Sequence, residues 1–98
     1  MLASIACDAL RQGKRLELRY DGWARVIEVH AVGISTTGTG LIQAYQVRGG
    51  SNSNERFGWK NFKVDEALSA HLIDELSEAP RSGYTRNASA FQQMTCQI

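Results

Sequence analysis

Apolar and charged positions alternate on both sides of an Asp-Gly pair, and this pattern predicts a β-hairpin from Lys14 to Val32. Before the pair, Leu16, Leu18 and Tyr20 alternate with Glu17 and Arg19. After it, Arg25-Val26-Ile27-Glu28-Val29-His30-Ala31-Val32 is rich in β-branched side chains, which suit a pleated surface. Asp21 and Gly22 tolerate the positive φ that a two-residue type I′ turn requires. The turn sets the register, so Leu16, Leu18 and Tyr20 should share one face and Glu17 and Arg19 the other.

The remaining elements are read relative to this hairpin. Leu2, Ile5, Ala6, Ala9 and Leu10 recur at helical spacing, Arg11 suits a last turn, and Gly13 suits a C′ position. A short amphipathic helix is therefore expected within residues 1–13. Ile34 to Gly40 reads as a polar connection and Leu41 to Val47 as a third strand. That strand turns Leu41, Gln43, Tyr45 and Val47 one way and Ile42, Ala44 and Gln46 the other. Arg48 to Glu55 has no apolar residue besides glycine and reads as a solvated hairpin tip. Its glycine pair lacks the spacing and the following Lys-Ser/Thr of a phosphate-binding P-loop. Phe57 to Val64 is the fourth strand, and its uneven alternation around Trp59 suggests a bulge.

Two patterns compete over Asp65 to Glu78. Leu68, Leu72 and Leu76, with Ala67 and Ile73, fit a helical face that Asp65 would cap. The alternative is a fifth strand, with Ala70 and Leu72 on one face and His71 and Ile73 on the other. Pro80 ends either element. In the tail, Tyr84, Phe91, Met94 and Ile98 need a surface to bury against, so residues 79–98 are expected to pack as an extension with a short final strand.

At 98 residues the chain reads as a single domain, 1–98, able to bury one small core. Its net charge of +1 is unevenly spread: residues 1–63 carry nine Lys/Arg against five Asp/Glu, residues 64–98 two against five. The front of the chain can present a mild basic surface to an anion, without the excess of a protein that coats DNA. Cys7 and Cys96 form no CxxC motif and read as small buried hydrophobes of a reducing cytoplasm, with a disulfide between them as the lesser alternative should the chain ends meet in space. The start of the chain lacks the basic and long apolar regions of a secretory signal, and no run has membrane-spanning length.

Catalytic and metal chemistry find little support. His30 and His71 stand 41 residues apart, and neither joins a cysteine in a recognisable motif. The chain is read as a non-enzyme with no cofactor and no metal. Anion binding is better supported. Arg19, Arg25, Arg48, Lys60 and Lys63 fall on strands or strand ends, interleaved with Tyr20, Tyr45 and Trp59. Such a mixture can hold phosphate and stack a base.

Several motifs then resemble a known family in order and spacing. Leu16-x-Leu18-x-Tyr20, a turn, and Arg25-x-Ile27-Glu28-Val29-His30 resemble the paired strands of the WYL domain of bacterial regulators. Phe62-Lys63-Val64-Asp65-Glu66 is similar to that family's Phe-Arg-Leu-Asp-Arg, with Glu66 replacing a cation. The family's Trp-Tyr-Leu reads Gly40-Leu41-Ile42 here. A group of short stand-alone WYL-like proteins is more similar still, through Glu28-Val29-His30, Gly58-Trp59-Lys60-Asn61-Phe62, Gly83-Tyr84 and Cys96.

The resemblance implies a mainly β, Sm- or SH3-like barrel of about five strands over residues 14–78, and it favours a strand within Ser69–Leu76. It implies a ligand-sensing module, in regulation or defence-related control, for single-stranded nucleic acid or a nucleotide-like anion. The implied pocket is Tyr20, Arg25, His30, Tyr45 and Lys63, with Trp59 and Lys60 from the short group. The other reading is a protein-interaction module: a regulatory or inhibitor subunit, some from mobile elements, or a homodimer formed through sheet edges.

Overall fold

A computed structural model of the chain describes residues 2–52 and 55–98. Ser53 and Asn54, in the predicted hairpin tip, and Met1 lie outside the described residues. The chain begins with helix α1 (Leu2–Gln12), whose buried Ala6, Cys7 and Ala9 face the core. The Gly13 N–H donates to Leu10 O, with Gly13 at φ 66°, as an αL cap requires.

Six strands follow: β1 (Lys14–Tyr20), β2 (Trp23–Ser35), β3 (Gly40–Gly49), β4 (Gly58–Lys63), β5 (Ala67–Leu76) and β6 (Phe91–Gln97). A 3-10 turn, Val64–Glu66, joins β4 to β5. The predicted hairpin is β1–β2, with Tyr20 opposite Trp23 and Leu16 opposite Ile27. Asp21 and Gly22 have φ of 52° and 79°, the two positive values expected of the turn. Where helix and strand competed, β5 is a strand. It pairs along β1, placing Leu72 opposite Leu16 and Ala70 opposite Leu18. Pairing along β1, with Ala67, Ala70 and Leu72 partly buried against the core, overrides helix propensity there.

The sheet is antiparallel with strand order β4-β3-β2-β1-β5, and β6 pairs with β2. It is not closed, since β4 and β5 stand at its two ends. β2 is the hub. β3 runs along one side of it, while β1 takes Trp23–Ile27 and β6 takes Ala31–Ser35 on the other. The expected bulge in β4 is absent: β3 and β4 pair without a register shift from Leu41–Lys63 to Gln46–Gly58. Register shifts occur in the β1–β5, β2–β3 and β2–β6 pairs instead, and one of them inserts His30 between Val29 and Ala31.

Leu16, Leu18, Tyr20, Ile27, Val29, Val32, Ile42, Ala44 and Phe62 form the core with α1. The opposite face of β2 is covered by the segment after β5, so the strand is buried without interruption from Arg25 to Gly33. A strand with both faces covered loses its period-2 signature.

Cys7 and Cys96 correct the sequence reading. They are not free thiols but a disulfide, with Cα atoms 6.0 Å apart and 89 residues between them in sequence. The pairing arises because β6 lays Cys96 opposite Val32 of β2 while α1 packs over the same strand. No helix among the described residues is long and apolar enough to cross a membrane.

Candidate anion site and the strap behind it

Six of the seven residues singled out from the sequence fall into two groups on opposite faces of the sheet. Tyr20, Arg25 and Lys60 line one cleft of about 390 Å3, together with Asp21, Ser51, Asn52, Asn61 and Phe62. His30, Tyr45 and Trp59 lie on the other face. Lys63 lies outside the cleft, its ammonium 3.6 Å from Glu66.

Arg25 is the centre of the first group. It occupies the second position along β2 from the turn on the side that faces the core, and only 4% of it is exposed. Its guanidinium carbon lies 5.4 Å from the Tyr20 ring centre and 5.5 Å from that of Phe62, within cation–π range. Nε donates to Tyr20 O at 3.3 Å and Nη1 to Gln46 Oε1 at 3.4 Å. Both are long for N–H···O bonds. No carboxylate pairs with Arg25 among the described residues, whereas Arg15, Arg48 and Arg81 each have at least one. A buried cation without an anion is costly, and that cost falls when an anion enters the cleft. Among the described residues Lys60 also has no carboxylate partner, and Asp21 is the one acidic residue lining the cleft.

Gln46, which sequence reasoning passed over, connects the guanidinium to the neighbouring loop. It is fully buried. Its Oε1 accepts from Arg25, while Nε2 donates to Gly50 O and Arg56 O, both at 3.0 Å. A glutamine on the apolar side of a strand was the available signal, because a buried amide must have partners.

Tyr20 closes the cleft's inner wall. Its hydroxyl accepts from the Lys63 backbone N–H at 3.1 Å and donates to Glu66 Oε1 at 3.3 Å. Burial raises its pKa, against the opposing effect of the Lys63 N–H, and the nearby Glu66 raises it further. The phenol therefore stays neutral. Glu66 is engaged by both the Tyr20 hydroxyl and the Lys63 ammonium.

The second group is structural. Glu28 is fully buried. Arg81 donates to it through Nε at 2.6 Å and Nη2 at 3.2 Å, Arg15 through Nε at 2.9 Å, and the Glu78 N–H at 2.9 Å. Burial alone would raise its pKa; the hydrogen bonds from Arg81, Glu78 and Arg15 outweigh this and lower it. His30 Nε2 accepts the Arg81 N–H at 2.9 Å, so Nδ1 carries the proton and donates to Glu28 O at 2.9 Å. Burial depresses the His30 pKa, and the ring is neutral. Trp59 donates to Ser82 O at 3.0 Å, its ring meets His30 at 4.5 Å, and Tyr84 stacks on it. These contacts seat a strap, residues 77–84, across the sheet.

A further cleft, of about 350 Å3, is lined by Arg15, Tyr45, Arg48, Arg81 and Phe57. Its arginines are already neutralised. Arg48 grips Glu75 at 2.8 and 2.6 Å, holding that carboxyl at a pKa of about 2, and Arg15 and Arg81 share Glu28 and Glu78. Among the described residues, no group of His, Cys, Asp and Glu is arranged to hold a metal ion.

No protein-family model, curated protein or solved structure matches the chain.

Proposed function

We propose that the chain is a non-enzymatic binding module for a phosphate-bearing anion, a nucleotide or a nucleotide unit of a single strand, held by Arg25 and Lys60 in the Tyr20 cleft. The observation that carries this reading is Arg25 itself: a guanidinium at the floor of an open cleft, between two aromatic rings, with no carboxylate among the described residues. Its planar fork suits two phosphate oxygens. We further read the curled sheet as an Sm- or SH3-like barrel of the WYL type. The Asp-Gly hairpin, the edge strands joined through a short 3-10 turn, and the placement of Tyr20 beside Arg25 support that reading.

The test is fluorescence anisotropy with labelled single-stranded DNA and RNA at two salt concentrations. Binding should weaken as salt rises, and Arg25→Ala or Lys60→Ala should reduce it. Absence of binding at low salt would sink the reading.

One observation favours a second reading, a protein-interaction module. Among the described residues no strand pairs with the outer edge of β5, and Leu68 and Leu76 on that strand are 76% and 73% exposed. Such an edge suits strand addition by a partner or a second copy. Sedimentation of the free chain would reveal a homodimer, and Leu68→Lys should dissociate it while leaving nucleotide binding intact.

A further inference from the structure

Trp23 is the first residue of β2, directly opposite Tyr20 across the hairpin. Directly paired residues share a face, so Trp23 continues the core-facing row that runs through Leu18, Tyr20 and Arg25. Trp23 is nevertheless 44% exposed. One face of its indole lies on Gly50, where a Cβ would overlap the ring. Its Nε1 donates to Asn52 Oδ1 at 2.8 Å, which fixes the ring's orientation. An exposed tryptophan whose ring is backed by a glycine and held by a hydrogen bond is a prepared stacking surface.

This ring adjoins the anion cleft. Trp23, Gly49, Gly50, Ser51 and Arg56 line a pocket of about 200 Å3, and Ser51 lines the Arg25 cleft as well. Asn52, which holds the indole, also lines that cleft. Trp23 and Arg25 are two residues apart on one strand face, about 6.6 Å along the strand. That span is comparable to the distance from a nucleotide's 5′-phosphate to its base.

We infer that Trp23 is the base-binding platform of the site: a nucleobase stacks on its indole while the attached phosphate sits on Arg25 and Lys60. The inference rests on the phosphate reading of the Arg25 cleft and adds what that reading lacks, a residue that distinguishes a nucleotide from other phosphates. Arg56 at the rim adds a cation beside the stacked base. Selectivity among bases is weak, because every base offers a π-face.

The experiment compares adenosine 5′-monophosphate with ribose 5-phosphate by calorimetry, using the intact chain and the variants Trp23→Ala and Trp23→Phe. The nucleotide should bind about tenfold or more tightly than the sugar phosphate, the gain that stacking on one aromatic side chain supplies. Trp23→Ala should erase the difference while sparing ribose 5-phosphate, and Trp23→Phe should restore part of it. Equal affinities in the intact chain would overturn the inference and leave the phosphate reading standing. Loss of both ligands in Trp23→Ala would also overturn it, since Trp23 would then be shaping the cleft. Failure of both ligands to bind the intact chain would remove the phosphate reading and this inference together. Once the Trp23-dependent gain is seen, a dinucleotide without a terminal phosphate identifies its source. Retained affinity assigns the site to a strand, and lost affinity to a free nucleotide or phosphorylated end.

Discussion

Arg81 grips Glu28 with two hydrogen bonds across 53 residues of sequence, and its own backbone N–H caps the Nε2 of His30. One residue of the strap thus satisfies two buried polar side chains of β2. Removing the charge of Glu28 should loosen the strap first. Glu28→Gln should cost about 2–3 kcal/mol in urea unfolding, below the full buried-pair range because both guanidiniums keep some exposure to water. An unchanged urea midpoint would mean that the strap is held by its other hydrogen bonds and its aromatic contacts, without the Glu28 charge.

Acid should act on the same place, in two stages. In the unfolded chain a histidine titrates near about pH 6.5. Folded His30 titrates lower, because burial disfavours its cation. As pH falls below that value the unfolded chain takes up the proton first, so stability declines and then levels once folded His30 is also protonated. Glu28 makes the second stage. Its folded pKa is depressed by Arg81, Glu78 and Arg15 against burial, so its contribution is present above the ordinary carboxylate range and disappears as pH falls through the folded value. Urea midpoints across this range should show both declines, and His30→Gln should flatten only the upper one. A flat profile between about pH 7.5 and about 5.5 would contradict the burial of a neutral His30.

Reduction of Cys7–Cys96 should destabilise the fold strongly. Loop-closure entropy for 89 residues gives about 4–5 kcal/mol in the chain-entropy view. The paired variant Cys7→Ser/Cys96→Ser should unfold at lower urea and become insensitive to reductant. Alkylation of thiols without prior reduction would show that the bond is not formed in solution.

Arg25 offers a different trade. Arg25→Met keeps the length of the side chain and removes a buried charge with no carboxylate partner. Stability should stay within about 1 kcal/mol or rise, while phosphate binding is lost. A loss above about 3 kcal/mol would make Arg25 a structural cation instead.

What the sequence discloses depends on distance along the chain. The Lys14–Val32 hairpin is legible because its turn residues and both alternating strands lie within one short stretch. The fate of 67–76 is less so: its leucines satisfy a helical face, and only the row of β1 residues waiting opposite makes it a strand. The disulfide, only a lesser alternative in the sequence, and the path of the strap are hard to read, because each depends on where the chain after residue 77 lands on β2. The same holds for the site. Tyr20, Arg25 and Lys60 meet in one cleft, but His30, Tyr45 and Trp59 alternate onto the far face, and one extra residue at His30 shifts that register. Trp23 reads as a hairpin residue next to the turn, and its exposed ring emerges only once Gly50 is seen beneath it.

Gln46 ties Gly50 and Arg56 to the sheet with one amide, so the chain leaves and rejoins the sheet at two fixed points. Ser51 and Asn52, just after the first anchor, line the anion cleft, and Asn52 holds the Trp23 indole, so exchanges at these two positions act on the site rather than on a strand. A lineage, or an experimenter, can therefore change what this surface prefers by exchanging these two residues while leaving the scaffold and its guanidinium alone.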